Sequence, residues 1–366
     1  MQFTIQAAAL SVLLKQCCGV ASRRADDPTS QLLISVHDGQ LAITAQNGSQ
    51  QITRRTRTSS LQVEVDGAIC AGATKLEQIA AALPSDRPVT LKLVEEKLVI
   101  TCARSRFSLA TFTASAFPLI EVSSPIAEFQ IDSVELQRGG RAVSTCSARD
   151  DVRTYLNGMQ LALNATGATL VASDGHRLGQ YLLSGVEGDV SASVIVPVAA
   201  IDQFLTFSSE AKTRVELYPN LVCVLSESGE LYSKLIEGKY PDVARLLTPS
   251  GKTSRLVVNR IALLEVVQRI GLMSEAKHQS VRLSLSTNEL RVSALSNDNA
   301  GEEVLDVDFS GEQIDVGYNP RYLAEIIKAI GPAEEIEILF SGTSTGTLLS
   351  ATDCSQLKFV LMPLRI

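Results

Sequence analysis

The segment SDGHRLGQYLL, which begins at Ser173, holds the side chains that most suggest chemistry. Asp174, His176 and Arg177 could supply a carboxylate, a general base and a cation to one catalytic site. A carboxylate and a base two residues apart do not readily face each other at a strand end, and no nucleophile motif accompanies them. A tight turn at Gly175 that leads into a strand is the simplest interpretation. A binding surface is the first alternative and catalysis the second.

The supply of metal-ligating and nucleophilic residues is small. The chain has three histidines and seven cysteines, and no CxxC motif is present. This pattern is typical of reduced thiols in a cytosolic protein, and it predicts neither a metal site nor a disulfide framework. The sequence also has no P-loop, no dinucleotide-binding GxGxxG and no HExxH motif. We therefore expect no catalytic residue, no metal and no cofactor.

Two apolar segments stand near the ends of predicted domains. The chain ends in VLMPLRI, although most chains end in loose polar residues. This tail is either a last strand held by its sheet or the lining of an apolar groove, where Met362 would give adaptable packing. The segment YPDVARLL, from Tyr240, places a turn at Pro241 and apolar groups at a domain junction.

The elements that position these segments repeat three times along the chain. Leu10, Leu136 and Leu263 hold equivalent places in three helix patterns, 126 and 127 residues apart. A second helix pattern recurs with periods of 125 and 122 residues. Such drifted repeats indicate three copies of one domain, each of a common domain size. Polar loops with Pro or Gly set the boundaries, which predict domains at 1–124, 125–251 and 252–366.

Each copy is predicted to be α+β, with two helices on one face of antiparallel sheets. Hairpin signals lie at Asp38-Gly39, at Gly167 and near Asn288. The pair Gly139-Gly140 inside a helix pattern predicts a kink or a close approach. The N-terminal apolar stretch has no basic region and matches the later repeats, so we predict a strand and helix there, not a targeting signal. No run approaches the length of a membrane span.

The charge of the chain is unevenly distributed. The net charge is −7, which argues against a protein coated in basic residues. The six predicted helices (5–18, 74–83, 132–149, 198–208, 259–274 and 319–331) together carry +3, so the rest of the chain carries −10. Solvated helix faces would explain each basic residue singly, but their recurrence in all three copies indicates a shared role for the helices.

The repeats and the segments above together resemble the bacterial DNA polymerase III β subunit family, the sliding clamps. The resemblance covers the whole chain and rests on DVRTYLNGM, VASDGHRL, KYPDVARLL, RSRFSLATF and FVLMPLR. It implies three repeated sliding-clamp (DNA clamp) domains, and a head-to-tail dimer that forms a six-domain ring with helices lining the hole. The function implied is that of a non-catalytic processivity factor, which encircles duplex DNA and tethers the replicative polymerase. The implied location is the bacterial cytoplasm, at the nucleoid.

The resemblance also implies partners and site residues. The partners are double-stranded DNA bound without sequence preference, the polymerase III α subunit, the clamp loader, other proteins with a clamp-binding motif, and a second copy of the chain. A peptide groove would lie between domains 2 and 3, with His176 and Arg177 as turn and rim residues. The implied groove residues are Tyr155, Leu156, Ser173, Gly175, His176, Arg177, Leu178, Pro241, Arg245, Leu246, Asn319, Tyr322, Val360, Met362, Pro363, Leu364 and Arg365. The implied DNA contacts are Arg24, Arg149, Tyr155, Lys277 and His278, and the implied dimer contacts are Phe107, Leu272 and Met273.

The chain departs from the family pattern in places. The loop ASRRADDPTSQLL carries Asp26 and Asp27 beside Arg24, which weakens the expected positive field there. Ser173 replaces a more usual Thr, and His278 stands where a larger hydrophobic group is common. Two alternatives remain: an open three-domain binding protein that never closes, and a hydrolase that uses Asp174 and His176.

Overall fold

The computed structural model describes residues 1–24, 27–164, 167–188, 190–207, 211–249, 251–274, 279–296 and 298–365. Six α-helices occur in the described chain, two in each predicted copy. They are α1 (Ala7–Cys18), α2 (Ala73–Ala82), α3 (Ser133–Ser144), α4 (Val198–Phe207), α5 (Arg260–Gly271) and α6 (Pro320–Ala329). Each falls within about three residues of a predicted helix except at the C-terminal end of α3, which stops five residues before the predicted end.

The strands alternate with these helices along the whole chain. The strands of the first half are β1 (Gln2–Gln6), β2 (Gln31–His37), β3 (Gln40–Gln46), β4 (Gln50–Thr56), β5 (Gln62–Val65), β6 (Gly67–Gly72), β7 (Pro88–Val94), β8 (Lys97–Cys102), β9 (Ser105–Thr113), β10 (Ala127–Asp132), β11 (Gly158–Asn164), β12 (Gly167–Ser173) and β13 (Arg177–Leu183). Those of the second half are β14 (Ala192–Pro197), β15 (Lys212–Leu217), β16 (Leu221–Ser226), β17 (Gly229–Lys234), β18 (Ser254–Asn259), β19 (Val281–Ser286), β20 (Glu289–Leu295), β21 (Ala300–Asp306), β22 (Asp308–Ser310), β23 (Ile314–Tyr318), β24 (Glu335–Phe340), β25 (Thr347–Ala351) and β26 (Cys354–Leu361).

The chain folds into two compact units. The first unit comprises Met1–Glu128 and Phe207–Lys234. Its antiparallel strands are hydrogen-bonded in the order β15-β16-β17-β4-β3-β2-β6-β9-β8-β7-β1-β5. Helices α1 and α2 pack against each other, and α1 buries Leu10 and Leu14 against the sheet. The alternating burial of β1 and β2 follows the alternation of their side chains across a sheet.

The second unit comprises Phe129–Thr206 and Leu235–Ile366. One antiparallel sheet runs in the order β14-β11-β12-β13-β26-β25-β24-β18-β22, and a second in the order β21-β20-β19-β23. Helix α3 packs on β12 and β13, and α5 packs against α6 and on β19, β20 and β21. The C-terminal strand β26 pairs with β13, so it joins strands of the central and C-terminal copies in one sheet. In the described residues, no helix is long and apolar enough to cross a membrane.

The predicted hairpins are confirmed. Asp38 and Gly39 both have positive φ between β2 and β3, and Asn288 has a φ of 61° between β19 and β20. Strands β11 and β12 pair up to Asn164 and Gly167, and the two residues between them lie outside the described chain. In these two turns the left-handed positions are thus occupied by Asp38, Gly39 and Asn288, whose residue types tolerate that region best.

The close approach predicted at Gly139-Gly140 is also confirmed, and α3 continues through both residues. A Cβ atom added to Gly139 would lie 2.4 Å from Cδ1 of Tyr181, and one added to Gly140 would lie 2.7 Å from Cδ2 of Leu205. The ring of Tyr181 is fully buried and bonded through its hydroxyl to Glu135, so it has little room to move. The glycines are therefore needed for packing, although glycine lowers helix propensity.

We expect Gly139→Ala to lower the free energy of unfolding by about 1–3 kcal/mol, because overpacking outweighs the gain in helix propensity. The measurement is the urea dependence of far-ultraviolet circular dichroism. Arg141→Ala, at an exposed position in the same helix, is the control and should change stability by less than about 0.5 kcal/mol. A stabilised Gly139→Ala variant would contradict the packing argument.

Candidate peptide-binding groove

A cavity of about 200 Å³ lies in the second unit, where four segments of the chain meet. These segments are the 3₁₀ turn Thr154–Asn157, the turn between β12 and β13, the loop that begins at Tyr240, and the end of β26 with the tail. The cavity lining comprises Arg153, Tyr155, Leu156, Ser173, Gly175, His176, Arg177, Leu178, Tyr240, Pro241, Asp242, Val243, Leu246, Val360 and Met362. Eleven of the seventeen predicted groove residues are among them.

The floor of this groove is apolar and well packed. Leu156, Leu178, Tyr240 and Val360 belong to one buried hydrophobic cluster. At the mouth, Leu246 is 52% exposed and Met362 is 39% exposed. Apolar side chains exposed beside a buried apolar floor are the usual arrangement of a site that receives apolar ligand groups.

The segment from Ser173 to Arg177 is a tight turn, as predicted. Gly175 has a φ of 87°, and the carboxylate of Asp174 accepts hydrogen bonds from the backbone N–H groups of His176 and Arg177, both at 2.9 Å. The Ser173 hydroxyl donates to the carbonyl of Arg177 at 2.8 Å and accepts from the N–H of Gly175 at 3.1 Å. Asp174 is thus occupied in holding the turn through the backbone N–H of His176, which differs from the carboxylate-to-ring hydrogen bond of a catalytic pair.

Arg177 differs from its expected role, because it is buried instead of lying at the rim. Only 7% of the residue is exposed. Its guanidinium donates to Asp174 at 3.0 Å and to Glu325 of α6 at 2.5 Å, and it lies 4.5 Å from the ring centroid of Tyr322. Burial disfavours the charged guanidinium, but the bond to Glu325 and the nearby negative charges outweigh burial and hold its pKa above the usual value.

His176 connects the turn to the C-terminal tail. Its ring stacks on Tyr322 with centroids 6.2 Å apart and an interplanar angle of 27°. Its carbonyl accepts the backbone N–H of Met362 at 2.8 Å, directly after β26 ends. One turn therefore fixes both the helix-borne Tyr322 and the first residue of the tail. The tail is consequently held at the groove by backbone bonding as well as by packing.

Six predicted groove residues lie outside the cavity lining: Arg245, Asn319, Tyr322, Pro363, Leu364 and Arg365. Asn319 caps α6, since its side chain accepts the N–H groups of Arg321 and Tyr322. Leu364 donates its N–H to the carbonyl of Gly317 at 2.8 Å, which attaches the tail to β23. Arg245 is exposed in the 3₁₀ turn Ala244–Leu247.

Sequence reasoning missed four lining residues: Arg153, Tyr240, Asp242 and Val243. All four lie within the quoted DVRTYLNGM and KYPDVARLL segments, so inspection of every residue in these segments could have identified them. Arg153 bonds to Asp151 in a pair that lowers the pKa of the Asp151 carboxyl to about 2. The ring of Tyr240 meets that of Tyr155 edge to face, with centroids 6.2 Å apart.

The implied DNA contacts are only partly described. Arg24 and Arg149 are exposed, and each follows the first helix of its copy within six residues. Tyr155 is half-buried in the groove wall. Hydrogen bonds from Thr29 lower the pKa of Asp27, so this carboxylate stays ionised near Arg24 and reduces the local positive field. Lys277 and His278 lie outside the described residues, as does Asp26.

The implied dimer contacts lie at accessible places. Leu272, directly after α5, is 78% exposed, which is unusual for a leucine. Met273 is partly buried against Gly301 of β21. In the first unit, Phe107 is partly buried on β9.

Family models decide what kind of protein has this architecture. The models for the N-terminal, central and C-terminal domains of the DNA polymerase III beta subunit match residues 1–121, 130–242 and 245–365. The chain belongs to this family. It is therefore made of three clamp domains, as the resemblance implied, and they have the α+β architecture with antiparallel sheets that the repeats predicted. The family is one of non-catalytic subunits, in agreement with the expectation that the chain is not an enzyme.

Full-length relatives support the same assignment. The chain is 30% identical to the beta sliding clamp of Pseudomonas putida and 32% identical to that of Pseudomonas aeruginosa, in both cases over 100% of each chain. A crystal structure of the Pseudomonas aeruginosa sliding clamp bound to griselimycin superposes with a TM-score of 0.95, at 31% identity and with full coverage of both chains.

The Arg177 network yields a direct prediction. Arg177→Met keeps much of the side-chain volume but leaves Asp174 and Glu325 without their buried cation. We expect the free energy of unfolding to fall by roughly 2–4 kcal/mol. This loss is smaller than the largest losses for broken buried ion pairs, because solvent screens the partly exposed Glu325.

Urea unfolding measures this change, and hydrogen exchange of the turn amides shows whether it is local. Arg321→Met is the control, because Arg321 is exposed and its nearest oxygen on Glu325 lies 3.8 Å away. Equal stability of the two variants would contradict a supporting role for Arg177.

Proposed function

We propose that this sliding clamp works as a head-to-tail homodimer that closes into a six-domain ring around duplex DNA. As a processivity factor, it would tether the replicative polymerase by converting dissociation from DNA into movement along it. The observation that carries the tethering role is the apolar groove beside the tail. Asp174, which the alternative hydrolase would use, is bonded within a turn. We place the domain boundaries at 1–124, 125–251 and 252–366, in polar loops between strands.

The groove would receive apolar anchors of peptides from the polymerase III α subunit, the clamp loader and other proteins with a clamp-binding motif. Its support is the exposed pair Leu246 and Met362 above a buried floor. Each well-buried apolar anchor contributes about 1.5–3 kcal/mol, so two or three anchors are enough for a useful, reversible affinity. Arg153 and Asp242 supply polar groups at the margin that orient a peptide.

Two open sheet edges support the dimer. Residues 105–110 of β9 pair with β8 on one side only, because pairing with β6 begins at Thr111. Strand β21 forms one end of its sheet, and Leu272 and Met273 lie at its helix-bearing side. An unpaired edge is a template for another strand. We infer that β9 of one protomer, with Phe107, meets β21, Leu272 and Met273 of the next.

DNA would be held through phosphates alone. Arg24, Arg149, Tyr155, Lys277 and His278 are the proposed contacts, and the first two are exposed. Phosphate contacts carry no sequence information and weaken with salt, which suits a protein that slides. A protein of this function works where the chromosome is, so we propose a cytoplasmic location at the nucleoid.

Removal of the last five residues should abolish groove binding and leave the dimer intact. The deletion removes Met362 from the groove and its bond to the His176 carbonyl. The affinity for a clamp-binding peptide, measured by fluorescence anisotropy, should fall at least about 30-fold, the loss expected when a central apolar anchor site is removed. Deletion of the last residue only is the control, because it keeps Met362, Leu364 and Arg365, and it should keep that affinity. An unchanged affinity after the longer deletion would refute the groove.

The ring is tested by mass and by topology. Light scattering should give twice the 39.2 kDa chain mass, and Leu272→Asp should weaken the dimer by about tenfold or more. Val134→Asp, at another exposed position, is the control.

After loading, the protein should stay on nicked circular DNA and leave linearised DNA. An Arg24→Gln/Arg149→Gln variant should remain on circles too, because retention is topological, while its unloaded DNA affinity falls.

The alternative is an open scaffold of three domains. A monomeric mass, or equal loss from circular and linear DNA, would favour that alternative and overturn the ring.

A further inference from the structure

A second cavity of the second unit, of about 600 Å³, lies at the far end of the C-terminal tail. The cavity is lined by two guanidinium groups, hydroxyl groups, one exposed apolar side chain and one carboxylate. The residues concerned are Arg282, Arg365, Ser280, Ser293, Leu295 and Glu302. None of the predicted groove residues except Arg365 is in this lining.

Strand register shows how the cavity is built. The backbone hydrogen bond from Leu364 to Gly317 places the tail against β23. In the neighbouring strand β19, Arg282 pairs with Gly317. Arg282 also pairs with Ser293 of β20 on its other side. Neighbouring residues of a strand point to opposite faces, and Leu283 is fully buried on the face that carries α5. Arg282 and Ser293 therefore lie on the opposite face, away from Leu272 and Met273.

The two arginines are available to a ligand. Across the described ranges, neither Arg282 nor Arg365 has an ion-pair partner. The carboxylate of Glu302 is already bonded to Arg291 at 3.0 Å. The cavity thus presents two free guanidinium groups on a chain of net charge −7. A guanidinium binds a carboxylate through two parallel hydrogen bonds, which makes paired arginines selective for such groups.

We propose that this cavity binds acidic residues of a partner peptide that continues beyond the groove. The inference rests on the proposed peptide-binding function of the groove. Met362 lines the groove and Arg365 lines the second cavity, so about 10 Å of extended chain separates them. An extension of three or four residues past the apolar anchors would reach the arginines. Leu295, 78% exposed beside them, gives the extension an apolar contact as well.

The test compares matched peptides in fluorescence anisotropy at low ionic strength. Each peptide contains one groove-binding core and one four-residue extension that carries either two Glu or two Gln residues. The extension is at the N-terminal end of the core in one pair of peptides and at the C-terminal end in the other pair. The Glu form at one end should bind the wild-type protein about three- to tenfold more tightly than the Gln form. Arg282→Gln should reduce this ratio to about one and leave the affinity of the bare core unchanged.

Lys328→Gln is the matched control, because it removes one exposed positive charge of the same unit away from the cavity. The ratio should persist in this variant. A ratio of one in the wild type at both ends, or the same ratio in Arg282→Gln, overturns the proposal. Loss of the bare core's binding would instead refute the groove itself. Oligothymidylate binding that depends on Arg282, with a peptide ratio of one, would assign the cavity to nucleic-acid phosphate and overturn the peptide proposal.

Discussion

The groove depends on one buried cation, the guanidinium of Arg177. It bonds to Asp174 in its own turn and to Glu325, 148 residues further along the chain. A buried charge is strongly unfavourable unless it is paired, so the turn of the central copy and helix α6 of the C-terminal copy must meet for the charge to be satisfied. The stacking of His176 on Tyr322 and the backbone bond to Met362 both follow from this meeting. The network therefore determines the shape of the surface that a partner would meet.

The C-terminal tail extends that surface. Strand β26 ends in the sheet beside β13. Backbone hydrogen bonds then hold Met362 on the turn before β13 and Leu364 on strand β23. The tail passes from an apolar groove to a cavity with free arginines within four residues. Apolar groups supply most of the affinity of such a surface, while charged groups discriminate among ligands. This division of labour suits a protein that we propose to bind several partners at one place.

The charge distribution fits a weak, non-specific hold on DNA. The chain is acidic overall, and the exposed cations Arg24 and Arg149 each follow the first helix of their copy. Asp27 stays ionised near Arg24 and reduces the field of that loop further. A topological ring needs no strong contact, because the closed ring prevents dissociation. A weak field then reduces the resistance to movement along the duplex.

The sequence by itself determined the repeats, the helices, the hairpins and the segments that form the groove. The helices and hairpins follow from local periodicity and turn chemistry, which act between residues close in the chain, whereas the groove segments were indicated by the resemblance to the clamp family. Only the tertiary structure decided that Arg177 is buried, that Gly139 lies against Tyr181, and that Arg282 shares a cavity with Arg365. Each of these depends on partners between about 40 and 150 residues away. Burial and pairing at that separation are set by how sheets and helices pack, and no local pattern in the chain records it.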